Sequence, residues 1–174
     1  MVQLFTALKI QVMSALLFGK TAYMAVVKAN GKLAKASRVA MFNMVNTGNY
    51  IEITSGNRTL TREDSGALVG LSQLSGFTVT LPAVEKGLRF KFLVILPSLS
   101  GNIVIDSAEG DNIYGAITNR AGAAGVAASA EDQINLVAIQ AITGDQLEFI
   151  SSGGGWFVSG VTDVAAGSTA TDPS

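Results

Sequence analysis

The chain has 174 residues, 48% of them apolar and only 14% charged, with 19 glycines, no cysteine and no histidine. That suits one domain of ordinary size plus an appendage, and it is too apolar for intrinsic disorder. Without Cys or His, disulfides, thiolate metal sites and His-based metal or acid–base chemistry are excluded.

The net charge of −1 hides an uneven distribution. Residues 1–50 carry Lys9, Lys20, Lys28, Lys32, Lys35 and Arg38 and no acid, whereas every Asp and Glu follows them. A cationic leader before an acidic body points to a negative partner: a carboxylate-rich protein surface, a neighbouring copy of the body, or nucleic acid.

The leader opens with an apolar run, Ile10 to Phe18. It falls well short of the roughly 20 residues a spanning helix needs. A secretion signal would set its positive charge ahead of that run, where only Lys9 stands. Leu4, Leu8, Val12, Ala15 and Leu16 share one helical face, so the stretch reads as a partly helical arm ordered against a partner. Ser14–Thr21 (SALLFGKT) mimics a phosphate-binding loop, but Ser14 replaces the first glycine and Ala15–Phe18 is bulky. A phosphate cradle needs a glycine-rich loop between a buried strand and a helix, so nucleotide hydrolysis is rejected. Asn30-Gly31 suits a tight hairpin, or simply a turn in an extended arm. Arg38–Val45 fits either helix or strand, and Asn46–Asn49 then breaks the pattern. The chain therefore divides into an arm (1–48), a β body (49–162) and a loose tail (163–174).

Within the body, β-rich runs alternate with turn residues at the spacing of a sandwich or barrel. Strands are predicted at Tyr50–Thr54, Arg58–Thr61, Ala67–Leu71, Phe77–Leu81, Leu88–Leu96, Asn102–Ser107, Asn112–Ile117, Ile134–Ile142, Gln146–Ser151 and Trp156–Gly160. Alternation is clear in Phe77-Thr-Val-Thr-Leu81 and in Leu88-Arg-Phe-Lys-Phe92, where Arg89 and Lys91 point outward. Period-2 patterns with one wet face predict antiparallel sheets packed face to face. Ala121–Ala130 (AGAAGVAASA) reads as a flexible loop or a small-residue contact surface.

Several residues have a structural reading beside a chemical one. Gly66, Gly87 and Gly144 sit where tight turns need a residue without Cβ, and Asp145 caps its own turn. Trp156 packs on the core with its N–H near the rim. Asp106, Glu109 and Asp111 could gather around Ca²⁺, but their spacing matches no calcium loop and turns favour Asp for backbone reasons. Glu63-Asp64, Glu131-Asp132 and Asp145…Glu148 are carboxylate pairs, but adjacent strand residues face opposite ways and nothing sets two carboxyls across a cleft. With no His and no nucleophile elbow, a hydrolase is set aside.

A resemblance enters through phrases that occur in order. They are Thr59-Leu-Thr-Arg-Glu-Asp-Ser-Gly66, Phe77-Thr-Val-Thr-Leu-Pro82 leading to Gly87-Leu-Arg-Phe-Lys-Phe92, and Asn102-Ile-Val-Ile-Asp106 before Gly110-Asp-Asn-Ile113. Gly144-Asp-Gln-Leu-Glu-Phe-Ile-Ser151 then closes into Gly155-Trp-Phe-Val-Ser-Gly160. Together they resemble a β-sandwich module of tailed-bacteriophage virion proteins. The resemblance spans about residues 57–161 and does not reach 1–48. It implies a small jelly-roll-like sandwich, often trimeric, used in capsid cement or decoration proteins and also in tail and fibre proteins.

The expectation is a mainly β protein: an antiparallel jelly-roll-like β-sandwich with an extended, partly helical N-terminal arm. The resemblance implies a non-enzymatic, homotrimeric capsid cement or decoration protein on the virion exterior, with the major capsid protein and its own copies as expected partners. The arm residues expected to make those contacts are Leu4, Leu8, Leu16, Phe18, Lys20, Lys28, Lys32, Lys35, Arg38, Met41 and Phe42. No cofactor, metal, small-molecule substrate or membrane is expected. Nucleic acid is disfavoured because the basic density is low, Lys outnumbers Arg and the leader is too apolar for a solvated tail. The alternative is a tail-fibre or host-adhesion knob binding surface glycans.

Overall fold

The structure, a computed structural model, describes residues 49–173 except 108, 109, 121, 123 and 124. The expected arm, residues 1–48, lies outside them. Twelve strands form: β1 Tyr50–Ile53, β2 Arg58–Thr59, β3 Leu68–Ser72, β4 Ser75–Thr80, β5 Arg89–Leu96 and β6 Ser100–Asp106, then β7 Ile113–Asn119, β8 Val126–Glu131, β9 Gln133–Leu136, β10 Gln146–Ser151, β11 Trp156–Thr162 and β12 Ser168–Thr171. The helical content of the described residues is one short 3₁₀ turn, Arg62–Asp64.

The strands form a seven-stranded sheet, ordered β1-β3-β5-β10-β11-β7-β8, and a five-stranded sheet, ordered β12-β9-β6-β4-β2. From β1 to β6 the chain alternates between the two sheets. Each strand pairs in parallel with the strand two places earlier: β1 with β3, β3 with β5, β2 with β4 and β4 with β6. β11 also pairs in parallel with β7, while β10 pairs antiparallel with both β5 and β11. The antiparallel expectation is therefore corrected to two mixed sheets. Alternating burial reports that one face of a strand is wet and is silent about direction. Direction follows from the connections, because a chain that crosses to the other sheet and returns runs the same way as it did before.

Both sheets turn their apolar rows onto one core. Phe90, Phe92, Phe149, Trp156, Ile113 and Ile117 come from the larger sheet, and Phe77, Val79, Ile103, Ile105, Ile134 and Leu136 from the smaller. Phe92 meets Phe149 edge-on at 5.5 Å between centroids, and Phe90 lies 5.9 Å from Trp156. Arg89 and Lys91 do point to solvent, as the alternation predicts. Trp156 is fully buried, as expected, but its N–H is not at the rim: Nε1 is enclosed without an acceptor.

Two strands escape the sequence reading. Ala121–Ala130 reads as a flexible loop or a small-residue contact surface, yet Val126–Glu131 pairs antiparallel with β7 at the edge of the larger sheet. The tail contributes β12, which pairs with β9 at the edge of the smaller sheet. Small and polar residues carry a weak strand signal of their own, and the free ladder of a neighbouring strand supplies the order. Conversely, Ile134–Ile142 is not one strand. The chain leaves the smaller sheet at Leu136, and the N–H groups of Gln140 and Ala141 turn back to the carbonyl of Val137. Gly115 marks a close approach where β7 passes β11: it sits at φ +129°, and a Cβ there would collide with the carbonyl oxygen of Val158.

Removing a ring from this core is expected to cost about 3–5 kcal/mol for Phe90→Ala. Trp156→Phe keeps most of the bulk and deletes the stranded N–H, so its loss in urea unfolding is expected to be well below that of Phe90→Ala.

Candidate functional site

All the arm residues expected to make contacts, from Leu4 to Phe42, lie outside the described residues. The carboxylates weighed for chemistry are mostly within them, and the structure gives several of them backbone or ion-pair duties. Asp64 Oδ2 accepts the Thr61 N–H (2.9 Å) and hydroxyl (3.0 Å), capping the 3₁₀ turn. Asp111 Oδ2 accepts the Val84 N–H at 2.8 Å, and Asp106 Oδ1 accepts Gln133 Nε2 at 2.8 Å. Glu109 lies outside the described residues. Among the described residues no three acidic side chains gather as a cation would require.

Asp145 behaves as the turn cap that Gly144-Asp145 suggests. It is 1% exposed, and its two oxygens accept the N–H groups of Ile142 (3.0 Å) and Asp163 (2.8 Å). Glu148 faces the other side of the sheet and pairs with Arg89 at 3.1 Å. The two carboxylates therefore do not flank a common cleft, as a glycosidase pair must.

What the sequence reading missed is the shape of the outer surface. On the outside of the larger sheet the registers align Lys91, Glu148, Ser159 and Ala116 across four strands. Gln146 and Glu148 separate two shallow troughs of about 350 and 390 Å³, one reaching Gly66 and Leu68, the other Thr118 and Gly160. A neighbouring row aligns Ile150, Phe157 and Tyr114. Phe157 is half exposed, and its ring lies 5.8 Å from that of Tyr114 at 30°.

The two ends of the body differ sharply in charge. Strand directions place the connections 60–67 and 81–88 and residues 107 and 110–112 at one end, together with Tyr50, where the described strands begin. Arg62, Glu63, Asp64, Glu85, Lys86 and Asp111 lie there. The opposite end is built from 54–57, 73–74, 97–99, 120, 122, 125, 137–145 and 163–167. Among the described residues its only ionisable side chains are the buried Asp145 and the Arg120–Asp163 pair at 3.3 Å. Leu74, Leu96, Leu99 and Ile139 stand exposed at this end. Their loops are tied together, with Leu99 N–H donating to Leu74 O (2.8 Å) and Ile139 N–H to Ser98 O (2.9 Å). Ser98 is itself buried, its hydroxyl within reach of the carbonyl oxygens of Leu74, Ser100 and Gly101.

Compared with protein-family models, with curated proteins and with solved structures, the chain has no match in any of the three.

If Asp145 serves the backbone alone, Asp145→Ala strands two N–H groups, one beneath its own turn and one at Asp163. Thermal or urea unfolding is expected to show a loss of about 2–4 kcal/mol, the sum of two abandoned donors. Asp145→Asn retains one acceptor oxygen and is expected to lose about half as much.

Proposed function

We propose that the protein is a structural, non-enzymatic virion component: a cement or decoration protein on the outside of an assembled phage head. The reading rests on the ordered phrases of residues 57–161 and on one carrying observation, the separation of charge along the chain. Residues 1–50 hold six cations and no acid, and they precede an acidic body. Many carboxylates of that body are occupied by its own backbone and by Arg62, Arg89 and Arg120. The leader's cations are thus matched by carboxylates on other subunits, the major capsid protein and neighbouring copies in a homotrimer. Lys20, Lys28, Lys32, Lys35 and Arg38 supply the charge; Leu4, Leu8, Leu16, Phe18, Met41 and Phe42 supply apolar burial.

Stabilisation follows from mass action. A ligand that binds only the assembled shell lowers the free energy of that state, and repetition by symmetry turns weak contacts into avidity. The resemblance carries a jelly-roll-like expectation, and a jelly roll is an antiparallel design. The parallel pairings of β1 to β6 depart from it, so what the proposal keeps is a two-sheet virion module.

Copy counting by mass spectrometry of purified virions tests placement, with hundreds of copies expected for a head protein and a few dozen at most for a tail component. Full-length protein with Lys28, Lys32, Lys35 and Arg38 changed to Glu is expected to lose attachment to empty heads while its unfolding temperature stays unchanged. Retained attachment would remove the electrostatic part of the proposal.

A second reading, a glycan-binding adhesion knob, is favoured by the exposed Phe157 ring, packed beside the half-buried Tyr114, next to the trough lined by Gln146, Glu148 and Ser159. Aromatic faces next to hydrogen-bonding groups suit sugar rings. On this reading Phe157→Ala abolishes glycan-array signals of the full-length protein without lowering its stability, and a wild-type protein silent on the array disposes of it.

A further inference from the structure

The C-terminal strand is held unlike the rest of the body. β12, Ser168-Thr-Ala-Thr171, covers the edge of β9, with Ser168 opposite Leu136 and Ala170 opposite Ile134. The two sides of this pairing are unequal. On β9, Ile134, Asn135 and Leu136 are all buried. On β12, Thr169 and Thr171 are exposed, and Ala170 is only half-buried against the core. Polar contacts flank and extend the ladder. The N–H groups of Val137 and Asp132 donate to the carbonyl oxygens of Gly167 (3.0 Å) and Thr171 (3.2 Å), and Asn135 Nδ2 donates to Thr171 Oγ1 (3.0 Å). A strand held by backbone bonds and little apolar area belongs to the low-stability end of a structure, where segments open without global unfolding. The edge beneath it is firm, because β6 pairs with β9 from the other side.

We propose that β12 is an exchangeable strap: it leaves β9 while the body stays folded, and the edge it opens takes the β12 of a second copy. The structure displays the shape of the occupant. β12 lies beside β8, whose centre is Ala127-Ala-Ser-Ala130, so the slot between β8 and β9 receives the small side chains of Ser168 and Ala170. The leader's apolar run 10–18 and its Met41 and Phe42 are too bulky for such a slot. An identical strand from another copy reproduces every bond, including the one that Asn135 requires, and exchange of an identical element is a low-cost route to association.

The hinge is defined by the same contacts. Asp145 Oδ1 holds the N–H of Asp163 at 2.8 Å, which fixes the exit of β11. Beyond it the four residues 164–167 turn back, closed by the Gly167 N–H on Val164 O at 2.9 Å. A Cβ at Gly167 would stand 3.0 Å from that same oxygen, a crowding present only while the link is folded back. Exchange is reciprocal in a pair and cyclic in the homotrimer proposed above. It concerns how copies hold one another and not what they attach to, so it stands if the virion reading falls.

The chain has no cysteine, so thiols can be placed one per chain. Thr169 and Asn135 lie directly opposite each other across the ladder, a separation of about 5 Å between Cα atoms that suits a disulfide. Full-length Thr169→Cys and Asn135→Cys proteins, co-expressed and oxidised, are expected to yield a covalent pair with one chain of each kind. Adding Gly167→Ala to both chains is expected to raise that yield severalfold. In wild-type monomer, the amides of Val137 and Asp132 are expected to exchange hydrogen at least about tenfold faster than those of Val94 and Ser151, which are bonded at β5 and β10. With both cysteines in one chain, oxidation locks the strap at home and the joined species should disappear. Four results would overturn the proposal: no link between unlike chains; a yield that Gly167→Ala leaves unchanged; Val137 and Asp132 amides that exchange only together with Val94 and Ser151; or joined copies that persist with the strap locked, which would assign the contact to another surface such as the leader.

Discussion

The body of this protein depends on one constraint: β1 to β6 cross between two sheets five times, and every crossing must leave the apolar faces inward and the backbone paired. With no disulfide available and no cation cluster among the described residues, the shared core is the cohesive element. Its aromatic centre, Phe90, Phe92, Phe149 and Trp156, comes from three adjacent strands of the larger sheet. Because the chain passes through both sheets on each circuit, neither sheet completes its ladder without the other.

Crossings place backbone polar groups where water is excluded, and a small set of buried side chains satisfies them. Ser98 serves the crossing from β5 to β6, and Asp145 serves the approach to β10 and the exit of β11. Ser107 donates to the carbonyl oxygens of Asp111 and Asp132 where β6 leads to β7. A polar group in such a place must be paired, since stranding it costs more than the bond contributes. These residues resemble reactive groups in a bare sequence. In the fold they are ties.

How far the sequence could be read depended on the strength of the local pattern. Phe77–Leu81 and Leu88–Phe92 alternate clearly and Leu147–Ile150 less strictly, and β4, β5 and β10 form at those places. β8 and β12 consist largely of Ala, Ser and Thr, whose preference is too weak to distinguish an edge strand from a loop. The apolar stretch Ile134–Ile142 erred in the opposite direction, since a continuous apolar run does not reveal where the chain must leave its sheet. At the candidate sites, the Gly144-Asp145 cap was legible because a turn and its capping side chain are neighbours in sequence. The Phe157–Tyr114 row and the aliphatic tip were not, since their members are brought together across strands and connections that lie far apart along the chain.

By itself, the sequence determined that this is a β-rich chain without thiol or imidazole chemistry, with a cationic leader and an acidic body; composition and period-2 alternation are local properties that survive without coordinates. Tertiary structure alone decided that strands two apart run in parallel, that charge collects at one end of the body and aliphatic surface at the other, and that Trp156 buries its N–H. Each of those depends on the direction in which the chain re-enters a sheet, and that direction is a property of the circuit through both sheets rather than of any segment.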